Sequence, residues 1–209
     1  MATELTLYYS PGACSLSPHI ALREADLAFQ LVRVDLKAKK LADAGAGDWL
    51  SINPKGYVPA LRLPDGQLLT EGAVIVQYVA DQRPDARLVP PAGTFERYRQ
   101  QEWLHFIATE LHKGMGPLYS AAANEDYKAV VRERVASRFA TIAEALRGKP
   151  FLGGDRFGIA DGYAFYVARS WQHALKQDLA RWPELVDYYG RLAGRPAVAA
   201  ALEVEGIKA

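Results

Sequence analysis

The chain has 209 residues, half of them hydrophobic, with 25 Lys and Arg against 24 Asp and Glu for a formal net charge of +1. That length suits one large domain or two small ones with a real core, and the balanced charge gives no reason to expect nucleic acid or an anionic membrane as the main partner. A single cysteine cannot close an internal disulfide, the opening "MATELTLYYS" has no basic segment followed by an apolar core, and no apolar run is long enough to span a bilayer, so a soluble cytoplasmic protein is expected.

Leu5, Leu7 and Tyr9 alternate with Thr6 and Tyr8, the period of a strand. Ser10-Pro11-Gly12 interrupts it, and a helix follows from about Cys14 or Ser15 to Glu24, with Leu16 and Ile20 on one face. Pro18 falls in its first turn, where a missing N–H does little harm. "FQLVRVDL" (29–36) reads as the next strand, and strand, short helix and strand together predict a right-handed parallel crossover. A looser stretch with lysines and glycines (37–47) leads to a short helical piece near "DWLSINP". Pro64-Asp65-Gly66 signals a hairpin between "YVPALRL" (57–63) and "QLLT" (67–70). "EGAVIVQYVADQ" (71–82) is helical and apolar on nearly every side, which predicts a helix sandwiched between other layers.

The order βαβ–α–ββ–α is that of a thioredoxin-like domain, over residues 1–83. The proline-rich, aperiodic "RPDARLVPPAG" (83–93) marks a linker, placed at 84–93. Helical patterns then run near 94–115, 125–147, 160–175, 184–193 and 196–204, without repeats or low-complexity tracts. The predicted fold class is an α/β thioredoxin-like N-terminal domain followed by an all-α C-terminal domain over 94–209.

Three stretches carry chemistry in the first domain. "YYSPGACSLSPHIALRE" (8–24) sets the only cysteine at the strand-to-helix junction. A thiol at a helix N-terminus faces unpaired N–H groups and the positive end of the macrodipole, and both stabilise thiolate. The alternative is that Cys14 is a small buried hydrophobe. With no second cysteine, any disulfide exchange needs an external monothiol as partner. In "KGYVPALRL" (55–63), Val58-Pro59 fits the pattern in which the residue before a cis-proline offers its N–H and C=O to an extended thiol peptide, like an added strand. An ordinary trans-proline at the start of an edge strand is the alternative. In "LTEGAVIVQY" (69–78), Glu71 and Gly72 open a helix directly after a strand. Amides there can hold a carboxylate while Glu71 takes an ammonium, which together would read the amino-acid end of a ligand. A helix-start glutamate stabilised by the dipole is the commoner situation.

"WLHFIATELHKG" (103–114) carries an apolar stripe of Leu104, Ile107, Ala108 and Leu111 and a separate polar stripe of His105, Thr109 and His112. The two histidines would lie about 10 Å apart along the axis at roughly 1.5 Å per residue, too far to share a metal. A polar stripe on a packed helix suggests a cleft wall. "FGIAD" (157–161) places Gly158 at a helix N-cap with Asp161 three residues later, a folding feature without chemistry. His19, His173 and the tryptophans Trp49, Trp103, Trp171 and Trp182 are expected in packing rather than in a site.

Taken together, "YYSPGACSLSPHIALRE", "NPKGYVPAL", "LTEGAVIVQYVAD" and "WLHFIATELHKG" resemble the glutathione S-transferases, most closely the bacterial Beta class, over almost the whole chain from Leu5. The resemblance implies a cytoplasmic homodimer that binds glutathione at the N-terminal domain and a small apolar electrophile in the cleft between domains, with no metal. By position it makes Cys14 the cysteine beside the glutathione sulfur and Tyr9 a strand-end tyrosine near it, with Ser10 and Ser15 as secondary candidates. It makes Val58 and Pro59 the contact to the cysteinyl residue, Glu71 and Gly72 the γ-glutamyl contacts, and Lys39 a basic residue near the glycyl carboxylate. Gly72 stands where many relatives have serine, so a hydroxyl contact is missing. His112 and Lys113 become active-site residues facing the sulfur. His105 stands in place of an asparagine that reaches the partner subunit's glutathione. The implied activity is conjugation of glutathione thiolate to small electrophiles, with disulfide or peroxide reduction through Cys14 as a further possibility. A non-catalytic carrier of glutathione or apolar ligands with the same fold is the main alternative. A Cys–His hydrolase ranks far lower, for want of an orienting Asn or Asp motif and an oxyanion loop.

Overall fold

The computed structural model describes residues 4–42 and 47–209. The first three residues, and 43–46 of the loose stretch expected at 37–47, lie outside the described residues. Two compact units form, one from the residues up to Leu88 together with Pro196–Ala209, the other from Val89–Arg195.

In the first unit the elements run β1 (Leu5–Tyr9), α1 (Leu16–Glu24), β2 (Phe29–Asp35), β3 (Lys40–Leu41), α2 (Trp49–Ile52), β4 (Ala60–Arg62), β5 (Leu68–Thr70) and α3 (Gly72–Gln82). The sheet order is β3-β2-β1-β4-β5. β1 and β2 pair in parallel from Leu5–Phe29 to Tyr9–Arg33, as the crossover requires, and the remaining pairs are antiparallel. The two-residue β3 is too short to show a period, and the sequence gives no sign of it.

Alternation along β1 predicts one buried face, yet all five of its residues are buried. β1 is the central strand, covered on both sides. The sandwiched helix is α1 rather than α3. Leu16 through Leu22 are all buried in α1, because α3 and β1 pack on it and so does α8 (Pro196–Glu205). α3 buries Ile75, Val76, Val79 and Ala80 and leaves Val74 46% exposed, so its second apolar face is open.

α8 thus falls in the first unit. The sequence assigns 94–209 to one helical domain, whereas α8 returns to α1 and completes the first unit. The reason lies in one buried residue, Glu205. Its Oε1 accepts from His19 Nδ1 at 2.9 Å and its Oε2 from the Gly12 N–H at 2.9 Å. Arg23 Nε donates to His19 Nε2 at 2.9 Å, which leaves the ring proton on Nδ1. The expected linker also contains a short 3-10 turn, Pro84–Ala86.

The second unit holds α4 (Phe95–Phe106), α5 (Glu125–Ala145), α6 (Ile159–Arg169) and α7 (Pro183–Ala193). Thr94 Oγ1 accepts from Arg97 N at 3.3 Å and Asn124 Oδ1 from Tyr127 N at 2.8 Å, so α4 and α5 begin on side-chain caps. Phe139, Phe165, Leu104 and Ile107 are fully buried among these helices. Asp161, at the start of α6, accepts from the N–H groups of Leu152 and Gly158 at 2.9 and 2.7 Å and from Tyr188 Oη at 2.6 Å. Burial pushes its carboxyl up to about 6 against the pull of those donors. No helix among the described residues is long and apolar enough to cross a membrane.

Candidate active site

In the first unit the turn between β1 and α1 carries Cys14. α1 begins at Leu16, so the thiol lies in the turn before the helix rather than in its first turn. The Leu16 N–H bonds Ala13 O at 3.0 Å and the Ser17 N–H bonds Cys14 O at 3.3 Å. The amides of Leu16 and Ser17 are therefore taken, and Pro18 has none to offer. The closest polar partner described for the thiol is on another loop: Cys14 Sγ lies 3.1 Å from Val58 O. The Val58–Pro59 peptide is cis. Cys14 and the backbone before Pro59, read from two separate stretches, thus meet.

Tyr9 ends β1, buried, with its ring 6.3 Å from that of His19. Ser15 is fully buried and its Oγ accepts from Ser10 N at 3.1 Å and donates to Ser10 O at 3.2 Å. That hydroxyl holds the loop closed, which removes Ser15 as an activator of a ligand thiol. His19 is buried in the contact to Glu205, in keeping with a packing role.

Glu71 is the residue before α3. It has φ of +69°, a conformation a non-glycine residue rarely adopts. Its carboxylate is exposed and pairs with Lys55 Nζ at 3.0 Å. The amides of Gly72 and Ala73 stand ahead of the first intrahelical bonds, which run from Val74 and Ile75 to Glu71 O at 2.9 Å. A Cβ on Gly72 would sit 3.5 Å from Pro59 Cγ, an ordinary contact. Glu71, Gly72 and Pro59 are thus neighbours. Lys39 Nζ donates to Gly56 O at 2.8 Å and lies 5.9 Å from the Tyr57 ring centroid. Lys37 is exposed, as expected of a solvated loop, and Lys40 is exposed on β3.

In the second unit α4 continues into a π-helical turn, Ile107–His112, closed by the Lys113 N–H on Ala108 O at 3.0 Å. This changes the stripes. Leu104, Ile107 and Leu111 are fully buried as the apolar period predicts, and His105 and Thr109 are exposed. His112 leaves their stripe, because i→i+5 pairing widens the turn and rotates it inward. Its Nδ1 lies 2.7 Å from Tyr163 Oη and its Nε2 3.5 Å from Tyr166 Oη. Burial, with Lys113 beside it, lowers its pKa to about 4, so the ring is neutral at neutral pH. His112 therefore contributes a hydrogen bond and not the positive charge a histidine can supply. Lys113 is exposed and lines a recess of about 330 Å³ with Glu110, Arg134 and Arg138. Tyr163 and Tyr166 escape sequence reasoning. Their i, i+3 spacing on an apolar helix reads as core, and only the π turn brings His112 to them. No group of His, Cys, Asp and Glu among the described residues could hold a metal.

Residues 12–82 match the family model "Glutathione S-transferase, N-terminal domain" and residues 106–196 its C-terminal counterpart. The chain is 46% identical over 204 residues to glutathione S-transferase GstA of Escherichia coli O157:H7, covering 98% of this chain and all of that one. It is 26% identical to the disulfide-bond oxidoreductase YfcG of Escherichia coli K12, over 95% of this chain and 94% of that one. Among solved structures it is similar to a ternary complex of BphK, a bacterial GST, with TM-score 0.93 and 51% identity over 97% and 100% of the two chains. It is similar to a sphingomonad glutathione S-transferase complexed with glutathione, with TM-score 0.91 and 42% identity over 96% and 98%. A Beta-class glutathione S-transferase of Sphingomonas chungbukensis matches with TM-score 0.91 and 42% identity over 97% and 99%.

Proposed function

The chain belongs to the glutathione S-transferase family, and on that premise we propose that it is a cytoplasmic, homodimeric enzyme of the Beta type that joins glutathione thiolate to small apolar electrophiles. The observation that carries the site is the pairing of Cys14 Sγ with Val58 O beside cis-Pro59. A thiol peptide bonded to Val58 as an added strand would place its own sulfur at that same carbonyl edge, next to Cys14. Glu71 and the amides of Gly72 and Ala73 take the γ-glutamyl ammonium and carboxylate, and Lys39 the glycyl carboxylate. Tyr9, in the same unit, donates to the sulfur, and the family resemblance makes His112 and Lys113 active-site residues. Thiolate attack then depends on thiolate population and on position.

The free protein should be retained on immobilised glutathione, be eluted by free glutathione, and turn over a chloronitroaromatic acceptor. Retention without turnover would instead make it a carrier. Folded protein that passes unretained would remove the reading altogether. His105, exposed on α4, is assigned to the partner subunit's glutathione, and Phe95 and Tyr98 on the same helix are 65% and 58% exposed. Light scattering should give a dimer, and a monomer at micromolar concentration would leave His105 without a site.

Cys14 favours a second activity on the same site. Its thiolate attacks the glutathionyl sulfur of a mixed disulfide, RS–SG, forming Cys14–S–SG and releasing RS⁻. A second glutathione thiolate then attacks Cys14–S–SG, forming oxidised glutathione and restoring the Cys14 thiolate.

A further inference from the structure

The loop that leads into cis-Pro59 brings a second charged residue to Glu71. Asn53 is buried and holds this loop at two points: its Oδ1 accepts from Lys55 N at 3.2 Å and its Nδ2 donates to Tyr57 O at 2.8 Å. The Gly56 N–H closes on Asn53 O at 2.8 Å. Lys55 is thereby set beside the end of β5, where its Nζ donates to Thr70 Oγ1 at 2.9 Å and to Glu71 Oε1 at 3.0 Å. Both charged side chains are more than half exposed, so their pairing adds little to stability. What the pair does is set a pattern of charge.

An ammonium has three N–H groups and a carboxylate two oxygens. Two of the Lys55 donors and one Glu71 oxygen are used, and among the described residues no further group bonds the third N–H or Oε2. The amino-acid end of glutathione carries an ammonium and a carboxylate on one carbon. When that ammonium reaches Glu71, Lys55 either leaves or stays and shares the carboxylate. Displacement would bring two carboxylates together with one cation and the amides of Gly72 and Ala73 to offset them. With Lys55 retained, two cations alternate with two carboxylates, and like charges stay apart. The Thr70 hydroxyl holds Nζ independently of Glu71, so the lysine keeps an anchor while Glu71 turns to the ligand.

We infer that Lys55 is a specificity-determining residue, which stays at Glu71 when the ligand binds and reads the free α-carboxylate of its γ-glutamyl end. The inference rests on the proposed seat of that end at Glu71 and Gly72. One loop then reads two parts of the ligand, through Val58 the cysteinyl backbone and through Lys55 the terminal carboxylate. The ligand class follows from the chemistry. A thiol peptide whose first residue is joined through its side chain keeps both α-groups charged. One joined through an ordinary α-peptide bond has spent that carboxylate and is refused.

Binding to the full protein tests this by calorimetric titration with glutathione and with γ-aminobutyryl-cysteinylglycine, which lacks only the α-carboxylate. The parent should bind glutathione about tenfold more tightly than the analogue. Lys55→Met should weaken glutathione by about fivefold to tenfold and the analogue by less than about twofold, and Lys55→Arg should restore most of the discrimination. Equal weakening of both ligands would make Lys55 a support for Glu71 alone. Tighter glutathione binding in Lys55→Met would make it a competitor that the ligand must displace. Either result, or no change with either ligand, overturns the inference and leaves the γ-glutamyl seat standing. If the parent binds glutathione and the analogue equally well, or binds neither, the seat itself is wrong and the role of Lys55 falls with it.

Discussion

Glu71 holds a backbone conformation that costs a non-glycine residue of order 1–3 kcal/mol. Its exposed ion pair with Lys55 is worth less than that. Strain kept at the mouth of a helix, beside Pro59, is what a ligand contact would justify. Glu71→Gly should therefore raise stability by about 1 kcal/mol, seen as a higher urea midpoint, while raising KM for glutathione about tenfold or more. A variant both less stable and equally active would contradict this. The neighbouring Gly72→Ser is expected to fit, since its Cβ meets Pro59 at ordinary contact, and to lower that KM by restoring a hydroxyl donor. For the thiol, Cys14→Ala should abolish mixed-disulfide exchange and keep a measurable share of aromatic conjugation, and His112→Ala should harm conjugation more. Paired kinetics with one substrate of each kind decides it; loss of both activities in Cys14→Ala, with glutathione still bound, would make the thiol an obligatory activator.

Two buried groups set opposing acid responses. His112 titrates near 4 in the fold and about 6.5 when unfolded. Its contribution to stability is whole above about 6.5 and is lost as pH falls through the folded value. Asp161 titrates near 6 in the fold, above its unfolded value of 3.8, so its contribution is whole below the unfolded value and is lost as pH rises through 6. Each spans about 3 kcal/mol, and over the pH range between their folded values the two slopes largely cancel. Asp161→Asn should unmask the histidine: the difference between variant and parent in urea-unfolding free energy should widen as pH falls from about 6.5 toward 4. A pH-independent difference would show that Asp161 is not titrating in that window.

At the scale of elements, the π turn after α4 decides how the second unit presents its polar residues. A Cβ on Gly114 would overlap the Glu110 carbonyl, so glycine is needed to leave this turn. Gly114→Ala should cost about 1–3 kcal/mol and move the His112 ring off Tyr163, checked by the unfolding midpoint and by the His112 ring resonances. The sequence reveals most of the elements, because apolar periods of two and 3.6 follow from burial of one face. α1, β2, α5 and α7 begin and end within two residues of their patterns. What it hides is physical as well. A period shift confined to six residues leaves no readable trace, and so Leu104, Ile107 and Leu111 were legible as core while His112 could not be separated from His105 and Thr109. Cys14, Val58 and Glu71 stand out in the sequence because each belongs to a local motif. The contact of Cys14 with Val58 bridges two such motifs and required the fold.

Across the whole molecule, α8 is the element whose membership cannot be read locally, since an apolar alanine-rich helix suits either unit. Glu205 ties it to the loop that carries Cys14, through Gly12, and to α1, through His19. Glu205→Ala leaves the half-buried Gly12 N–H and the buried His19 Nδ1–H without that acceptor, and should cost about 2–4 kcal/mol by urea unfolding. Glu205→Gln, which keeps an acceptor oxygen for one of them, should cost less.

Gly12 and Glu205 are 193 residues apart. At ribosomal rates of about 5–20 residues per second, the loop bearing the thiol waits about 10–40 s for the carboxylate that fastens it. A nascent chain therefore carries Cys14 in a loop still missing one of its anchors throughout the making of the second unit. Whatever oxidises or alkylates exposed thiols in the cell meets this cysteine first as a property of translation, and a slow codon run late in the message would lengthen that exposure without changing a residue.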